Sequence, residues 1–251
     1  MSRDLYLYAL ASSLAGAGAE APLGEGLAGE PLRRLEAGPV VALLGEIAAP
    51  AVTPETLAAH DAVVRRLAER LPALLPARFG QTVPDEPTLR AWIADRERDV
   101  VRALALVEGC VQMTLRVFAR PDAPHAELLA GPALPEDLGP GARFLYARKE
   151  AAARARALPE IAPLREALRP YLRSERIERA DSDPLKAQGR LLATDYVLVA
   201  RGEADAYART VAAAAPHLAG WKVTATGPWP PYAFAPGLAP LGERPLSTGR
   251  P

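Results

Sequence analysis

Hydrophobic positions change period several times along this chain, and each change marks an element. Leu5-Tyr6-Leu7-Tyr8-Ala9-Leu10 is a continuous apolar run of strand length, and so is Pro39-Val40-Val41-Ala42-Leu43-Leu44. Between them, Ala15–Gly29 is a loop of small residues, and Pro31–Leu35 has room for a short helix at most. The period then becomes helical. Thr53 can cap the helix, Pro54 suits its first position, and Glu55 favours the positive end of the dipole. Leu57, His60, Val64, Leu67 and Leu71 follow on one face, until Pro72 and Pro76 end the helix. Leu74–Gly80 reads as an extended connection. A second helix starts near Asp85 with Pro87 in its first turn, and Leu89, Trp92, Ile93, Val100, Leu104 and Val107 form its buried stripe. The charge run Asp95–Asp99 touches that stripe only at Arg96, so it reads as a solvated face.

Gly109 reads as a helix terminator and as a seam between two units. Beyond it, Val111, Met113, Leu115 and Val117 alternate with Gln112, Thr114 and Arg116, the pattern of a half-buried strand. Pro121–Pro140 is a Pro-rich loop, Ala142–Leu158 a helix, and Ile161, Leu164, Leu168 and Leu172 keep helical spacing around Pro163 and Pro170. Leu191–Ala200 is a strand, Glu203–Ala215 a helix and Trp221–Thr226 a last alternating strand. Strand, long helical insertion, strand, helix, strand can build a split βαβ sheet with helices on one face. The expectation is therefore α+β in two domains. An N-terminal α+β domain spans 1–108, a ferredoxin-like domain 109–228, and a Pro/aromatic tail 229–251.

Composition narrows the function. Hydrophobic residues at 49% and charged residues at 24% suit a packed globular protein. The 30 basic side chains balance 30 acidic ones, so the surplus of cations that a nucleic-acid binder needs is missing. No apolar run approaches the ~18–20 residues that span a bilayer, so an integral membrane protein is not expected. The single cysteine, Cys110, excludes an intramolecular disulfide and a cysteine-based zinc cluster. Lysine occurs only at Lys149, Lys186 and Lys222, an arginine bias that a GC-rich genome explains without any mechanism. Arg3 and the run Leu5–Leu14 imitate a signal peptide, but Asp4 and the polar groups of Tyr6, Tyr8, Ser12 and Ser13 speak against it, and Leu5–Leu10 reads equally well as a buried first strand.

Candidate chemistry is sparse. Gly24-Glu25-Gly26-Leu27-Ala28-Gly29 matches the dinucleotide fingerprint, with Glu46 placed to hold a ribose. Its context fails, because Pro22 stands where the strand should run in and Pro31 where the helix should open, so a plain loop is expected. His60 and Asp61 are adjacent on a helix and point about 100° apart, and His60 lies on the apolar stripe. A hydrogen-bonded core or interface histidine is the expectation. No Gly-x-Ser-x-Gly elbow and no histidine pair at ligand spacing occurs. Cys110 has no basic neighbour in sequence and reads as a buried thiol. Asp181-Ser182-Asp183-Pro184 is a turn or capping segment that a cation could touch. No catalytic residue, cofactor-binding residue or metal ligand is assigned.

Two segments stay unexplained by these readings. Leu75-Pro76-Ala77-Arg78-Phe79-Gly80-Gln81-Thr82-Val83 places an arginine and an aromatic between a proline and a glycine. Gly227-Pro228-Trp229-Pro230-Pro231-Tyr232-Ala233-Phe234 concentrates three aromatics in a proline-stiffened stretch after the last strand. Such a stretch has little entropy to lose, and it either clamps onto its own protein or docks a partner. Arg78, Phe79, Gly80, Trp229, Tyr232 and Phe234 are the candidate partner-binding or structural residues. Self-packing is the expectation for the three tail aromatics, tying them back across the two domains.

With Tyr6-Leu7-Tyr8, the His60-to-Val64 helix, Gly141 through Phe144-Leu145 and the Leu198–Tyr207 turn, these two segments resemble the gas vesicle protein family GvpL/GvpF. The likeness runs in order along nearly the whole chain. Gln81 between the glycine and Thr82, and Gln112-Met113 in the second domain's first strand, depart from the family pattern. The resemblance implies two α+β domains, the second a modified ferredoxin-like fold with a C-terminal tail. It also implies a non-enzymatic accessory protein of gas vesicle assembly, cytoplasmic and vesicle-associated, with a retained first strand. The implied partners are the shell protein GvpA and other gas vesicle accessory proteins. A ferredoxin-like small-molecule-binding regulatory protein is the alternative, on fold analogy alone.

Overall fold

The structure is a computed structural model, and it describes residues 4–12, 22–119, 139, 161–178, 190–218 and 220–236. The chain divides into two compact units, Met1–Cys110 with Trp229–Pro251, and Val111–Pro228. The expected helix Ala142–Leu158, the turn Asp181–Pro184 and, Gly139 apart, the loop Pro121–Pro140 lie outside the described residues.

The first unit is built on a five-stranded sheet in the order β2-β3-β1-β4, with β5 also paired to β1. Its strands are β1 (Leu5–Ser12), β2 (Arg33–Ala37), β3 (Val40–Glu46), β4 (Leu74–Pro76) and β5 (Thr82–Val83). β1 runs antiparallel to β3, from Leu5 opposite Glu46 to Ser12 opposite Val40, with an irregularity between Leu7 and Ala9. β1 reads as an unbroken apolar run because both of its faces are buried. Tyr6, Tyr8, Val41 and Leu43 pack with Val63, Val64 and Leu67 of α1 (Pro54–Arg70). Leu7, Leu10, Leu35, Ala42 and Leu44 are buried on alternate positions. The long helix α2 (Glu86–Val107) also packs on this sheet. Arg33 of β2 joins Glu86 of α2 at 2.6 Å, fixing the start of α2 to the sheet.

Both helices begin as their sequences dictate. Thr53 and Thr56 form a reciprocal capping box on α1, and Asp85 accepts from Thr88 N–H at the start of α2. The apolar stripe of α1 is corrected in one place: Leu57 is 42% exposed and Val63 is buried in its stead. Trp92 of α2 is half-buried and carries the Arg96 guanidinium at 5.0 Å from its ring centre, so the charge that interrupts the stripe becomes its cover. Pro31–Leu35, where a short helix at most had room, instead leads into β2, a five-residue strand from Arg33 paired to β3. Of the expected extended connection Leu74–Gly80, Leu74–Pro76 is extended and hydrogen-bonded into the sheet as β4, whereas Phe79 and Gly80 form a turn.

The second unit carries a four-stranded sheet in the order β7-β8-β6-β9. Its elements are β6 (Cys110–Ala119), α3 (Ala162–Leu168), β7 (Ser174–Glu178), β8 (Arg190–Ala200), α4 (Ala204–Ala214) and β9 (Trp221–Trp229). Among the described residues, these elements follow the β-α-β-β-α-β order of ferredoxin-like domains. Its core gathers Met113, Leu115 and Val117 of β6 with Leu164, Leu168, Val197, Val199, Tyr207, Val211, Trp221 and Val223. Three differences from the sequence expectation stand out. β7 was hidden inside the presumed helical insertion. Gln112 and Thr114 of β6 are buried along with its apolar positions, so the strand is not half-exposed. β9 continues through Gly227-Pro228-Trp229, so the proline-stiffened stretch begins inside the last strand rather than after it.

Candidate functional site

The site forms where β1 has two partners on one edge. Ala9, Leu10 and Ala11 pair with β4, while Leu5 and Tyr6 pair with β5. The chain between β4 and β5 must therefore arch over the middle of β1, and Arg78-Phe79-Gly80 is that arch. Its backbone is held at both feet. Ala77 N–H donates to the Tyr8 carbonyl at 2.9 Å, and Leu7 N–H donates to the Gln81 carbonyl at 2.9 Å. Gly80 has φ +80°, in the left-handed region that favours glycine, which accounts for the glycine ending the arch.

Under the arch lies a ring cluster drawn from three elements. Tyr6 and Tyr8 of β1 have ring centres 4.8 Å apart, and the His60 imidazole of α1 stacks on Tyr8 at 5.7 Å. Phe79 meets His60 edge-on at 5.6 Å and Tyr6 at 6.5 Å. His60 is 3% exposed. Its Nε2 lies 3.3 Å from the Ala77 carbonyl, which can only accept, so Nε2 carries the proton. Nδ1 then accepts from the Tyr6 hydroxyl at 3.0 Å, and that hydroxyl accepts in turn from Gly80 N–H at 3.0 Å. The chain of bonds closes with every polar atom used. Burial holds the imidazole below its ordinary value, against the opposing pull of its Ala77 bond and the Asp61 charge, so His60 is neutral near pH 7. A neutral, fully bonded histidine locks the arch. It has no spare nitrogen for a metal or a substrate.

Tyr8 is engaged separately. Its hydroxyl donates to Glu30 Oε1 at 2.5 Å and accepts from Leu27 N–H at 2.9 Å. The Glu30 carboxylate lies against Gly26 and Gly45 so closely that a Cβ at either would collide with it. Of the three glycines that imitate a dinucleotide fingerprint, Gly26 makes room for this carboxylate, Gly24 lies against Arg66 and Gly29 faces open space, and the loop expectation holds. Glu30 carried no sequence motif; an acidic residue amid small residues was its only signal.

The tail aromatics lie on the same unit. Phe234 is fully buried, Tyr232 packs on the α1-side core, and the Tyr232–Phe234 turn sits against β4. Burial pushes the Tyr232 phenol up, Asp61 adding to the rise and Arg65 opposing it. The Arg65 guanidinium lies 4.3 Å from the Trp229 ring centre while its Nε donates to Asp61 at 2.6 Å. The i,i+4 spacing of Asp61 and Arg65 was the legible sign of this clamp. β4 therefore has the arch at its end and the tail turn at its side. Of the candidate residues, Phe79, Gly80, Trp229, Tyr232 and Phe234 all have internal contacts, whereas Arg78 is exposed.

Elsewhere, Cys110 is buried at the start of β6. Among the described residues, no group of three or more His, Cys, Asp or Glu gathers as a metal site, and no helix is long and apolar enough to cross a membrane.

The chain resembles solved gas vesicle proteins. The crystal structure of GvpF from Anabaena sp. PCC7120 superposes with a TM-score of 0.67 at 16% identity, covering 94% of this chain and 97% of that one. GvpF from Microcystis aeruginosa gives a TM-score of 0.67 at 15% identity, covering 93% and 99%. At these identities the likeness carries the fold. No curated protein matches the sequence significantly. The family described as gas vesicle synthesis protein GvpL/GvpF matches residues 4–236, from the first strand through the aromatic tail. That match takes in the arch, the His60 lock and the Trp229–Phe234 turn alike, and the chain belongs to the GvpL/GvpF family of gas vesicle proteins.

Proposed function

We propose that this protein acts in gas vesicle assembly by binding the small shell protein GvpA and other gas vesicle accessory proteins in the cytoplasm, as a chaperone, nucleation factor or minor vesicle component. The observation that carries this reading is the family match over residues 4–236, which leaves neither unit outside it. Among the described residues, two segments that resemble catalytic or nucleotide-binding motifs have structural partners instead. The histidine on α1 is spent on holding a loop, and the glycine-rich segment on seating a carboxylate.

The physical need is plain. A shell protein must bury a water-repelling face in the finished wall, and before assembly that face drives aggregation. A folded partner that covers it and releases it to the growing edge removes the hazard. In the first unit, the arch offers a preorganised surface, because its backbone is pinned at Ala77, Gly80 and Gln81 while Arg78 is exposed. Co-expression with GvpA should raise the soluble fraction of GvpA and co-purify the pair. An unchanged soluble fraction without co-purification contradicts the chaperone role.

A further inference from the structure

Among the described residues of the second unit, a buried polar group lacks the partner that chemistry demands. The Tyr207 side chain, on α4, is fully buried, and its hydroxyl makes no hydrogen bond to the described residues. A buried hydroxyl without a bond carries the whole cost of its lost hydration, so native proteins nearly always satisfy it, with protein or with ordered water. Its surroundings are polar on one side. The ring meets Tyr171 edge-on at 6.3 Å. Glu175 of β7 stands opposite Val197 of β8, and Asp195 lies two residues before Val197. Residues opposite one another, and residues two apart, share a face. Val197 belongs to the core that contains Tyr207, so both carboxylates stand on the core face of the sheet. Arg165 of α3 reaches the same corner, its guanidinium 3.0 Å from Glu175 Oε1. Burial raises the Tyr207 phenol, and the charges of Asp195 and Glu175 raise it further while Arg165 opposes them, placing all three groups within electrostatic reach of the ring.

We infer that a buried water molecule binds at this corner, accepting a hydrogen bond from the Tyr207 hydroxyl and donating to the carboxylates of Asp195 and Glu175. The ligand chemistry follows from the groups present. The phenol offers a donor, the carboxylates offer only acceptors with several lone-pair sites each, and a water supplies the missing acceptor and two donors together. A metal ion fits less well, since the Arg165 guanidinium already brings positive charge to Glu175 and no three-ligand cluster exists among the described residues. The water would tie α4 to the paired strands β7 and β8 at a polar corner of the core.

The test is Tyr207→Phe in the full chain, read by thermal unfolding, together with a high-resolution crystal structure of the unmodified protein. A hydroxyl satisfied by water is missed when removed, so the melting temperature should fall by about 2–4 °C. The crystal should show a water oxygen within hydrogen-bond distance of Tyr207 Oη and of at least one carboxylate. A melting temperature that rises or stays level would mean that the hydroxyl is bare, and it overturns the inference. A fall accompanied by a direct Tyr207–Asp195 or Tyr207–Glu175 hydrogen bond in the crystal overturns it as well.

Discussion

His60 shows how one side chain can be legible in type and opaque in role. Its place on the apolar stripe of α1 told that it points inward, and hence that it is bonded rather than catalytic. The partners, Tyr6 at 54 residues' separation and the Ala77 carbonyl at 17, come from the strand pairing, which no local pattern states. The lock has a pH signature. His60 is held below its ordinary value in the folded protein, so the unfolded chain binds its proton more tightly. The lock's stabilisation is complete above about pH 6.5, the unfolded value, and is lost as pH falls through the lower folded value. Chemical denaturation at pH 8 and at pH 5 should therefore show a larger loss of unfolding free energy in the natural protein than in His60→Phe. The variant itself should be less stable at pH 8 by about 1–3 kcal/mol, because it strands the Ala77 carbonyl and one bond of the Tyr6 hydroxyl. Equal pH dependence in the two proteins would refute a titrating lock.

At the scale of elements, the sequence revealed what is long and periodic and hid what is short and paired. α1 and α2 announced themselves by Thr53-Pro54 and Asp85 at their starts, because capping chemistry is local. β2, at Arg33-Arg34-Leu35-Glu36-Ala37, has only Leu35 and Ala37 as apolar residues beside three charges and owes its strand conformation to pairing with β3. β4 contains Pro76, which contributes no N–H to the ladder, and β7 reads Ser-Glu-Arg-Ile-Glu, so neither pattern separates a strand from a connection. The tail is the element whose energetics are easiest to check. Phe234 has no exposed surface, and replacing a buried phenylalanine by alanine costs roughly 3–5 kcal/mol. Phe234→Ala should lower the midpoint of urea unfolding without changing its slope, and ending the chain at Pro228 should lower it further by also removing Trp229 from under Arg65. A tail that could be removed with no change in midpoint would be free of its own unit, and its aromatics would then be available to a partner.

For the whole molecule, the α+β class was legible in the sequence, since alternating and helical periods follow one another along it. The arch was not, because it depends on β4 and β5 sharing one edge of β1, a pairing set by tertiary contact. The family carries the step from fold to biology, and its match from residue 4 to residue 236 ties the chain to gas vesicles. The central claim is that the protein works by binding the other proteins of the vesicle. The most direct measurement is a pull-down of the full chain against each gas vesicle protein in turn, with Arg78→Glu run alongside as a check on the arch. The account predicts that GvpA is retained by the natural chain, and that charge reversal at the exposed Arg78 weakens retention about tenfold or more, as loss of a central arginine contact does. Retention of no gas vesicle protein by the natural chain would contradict it.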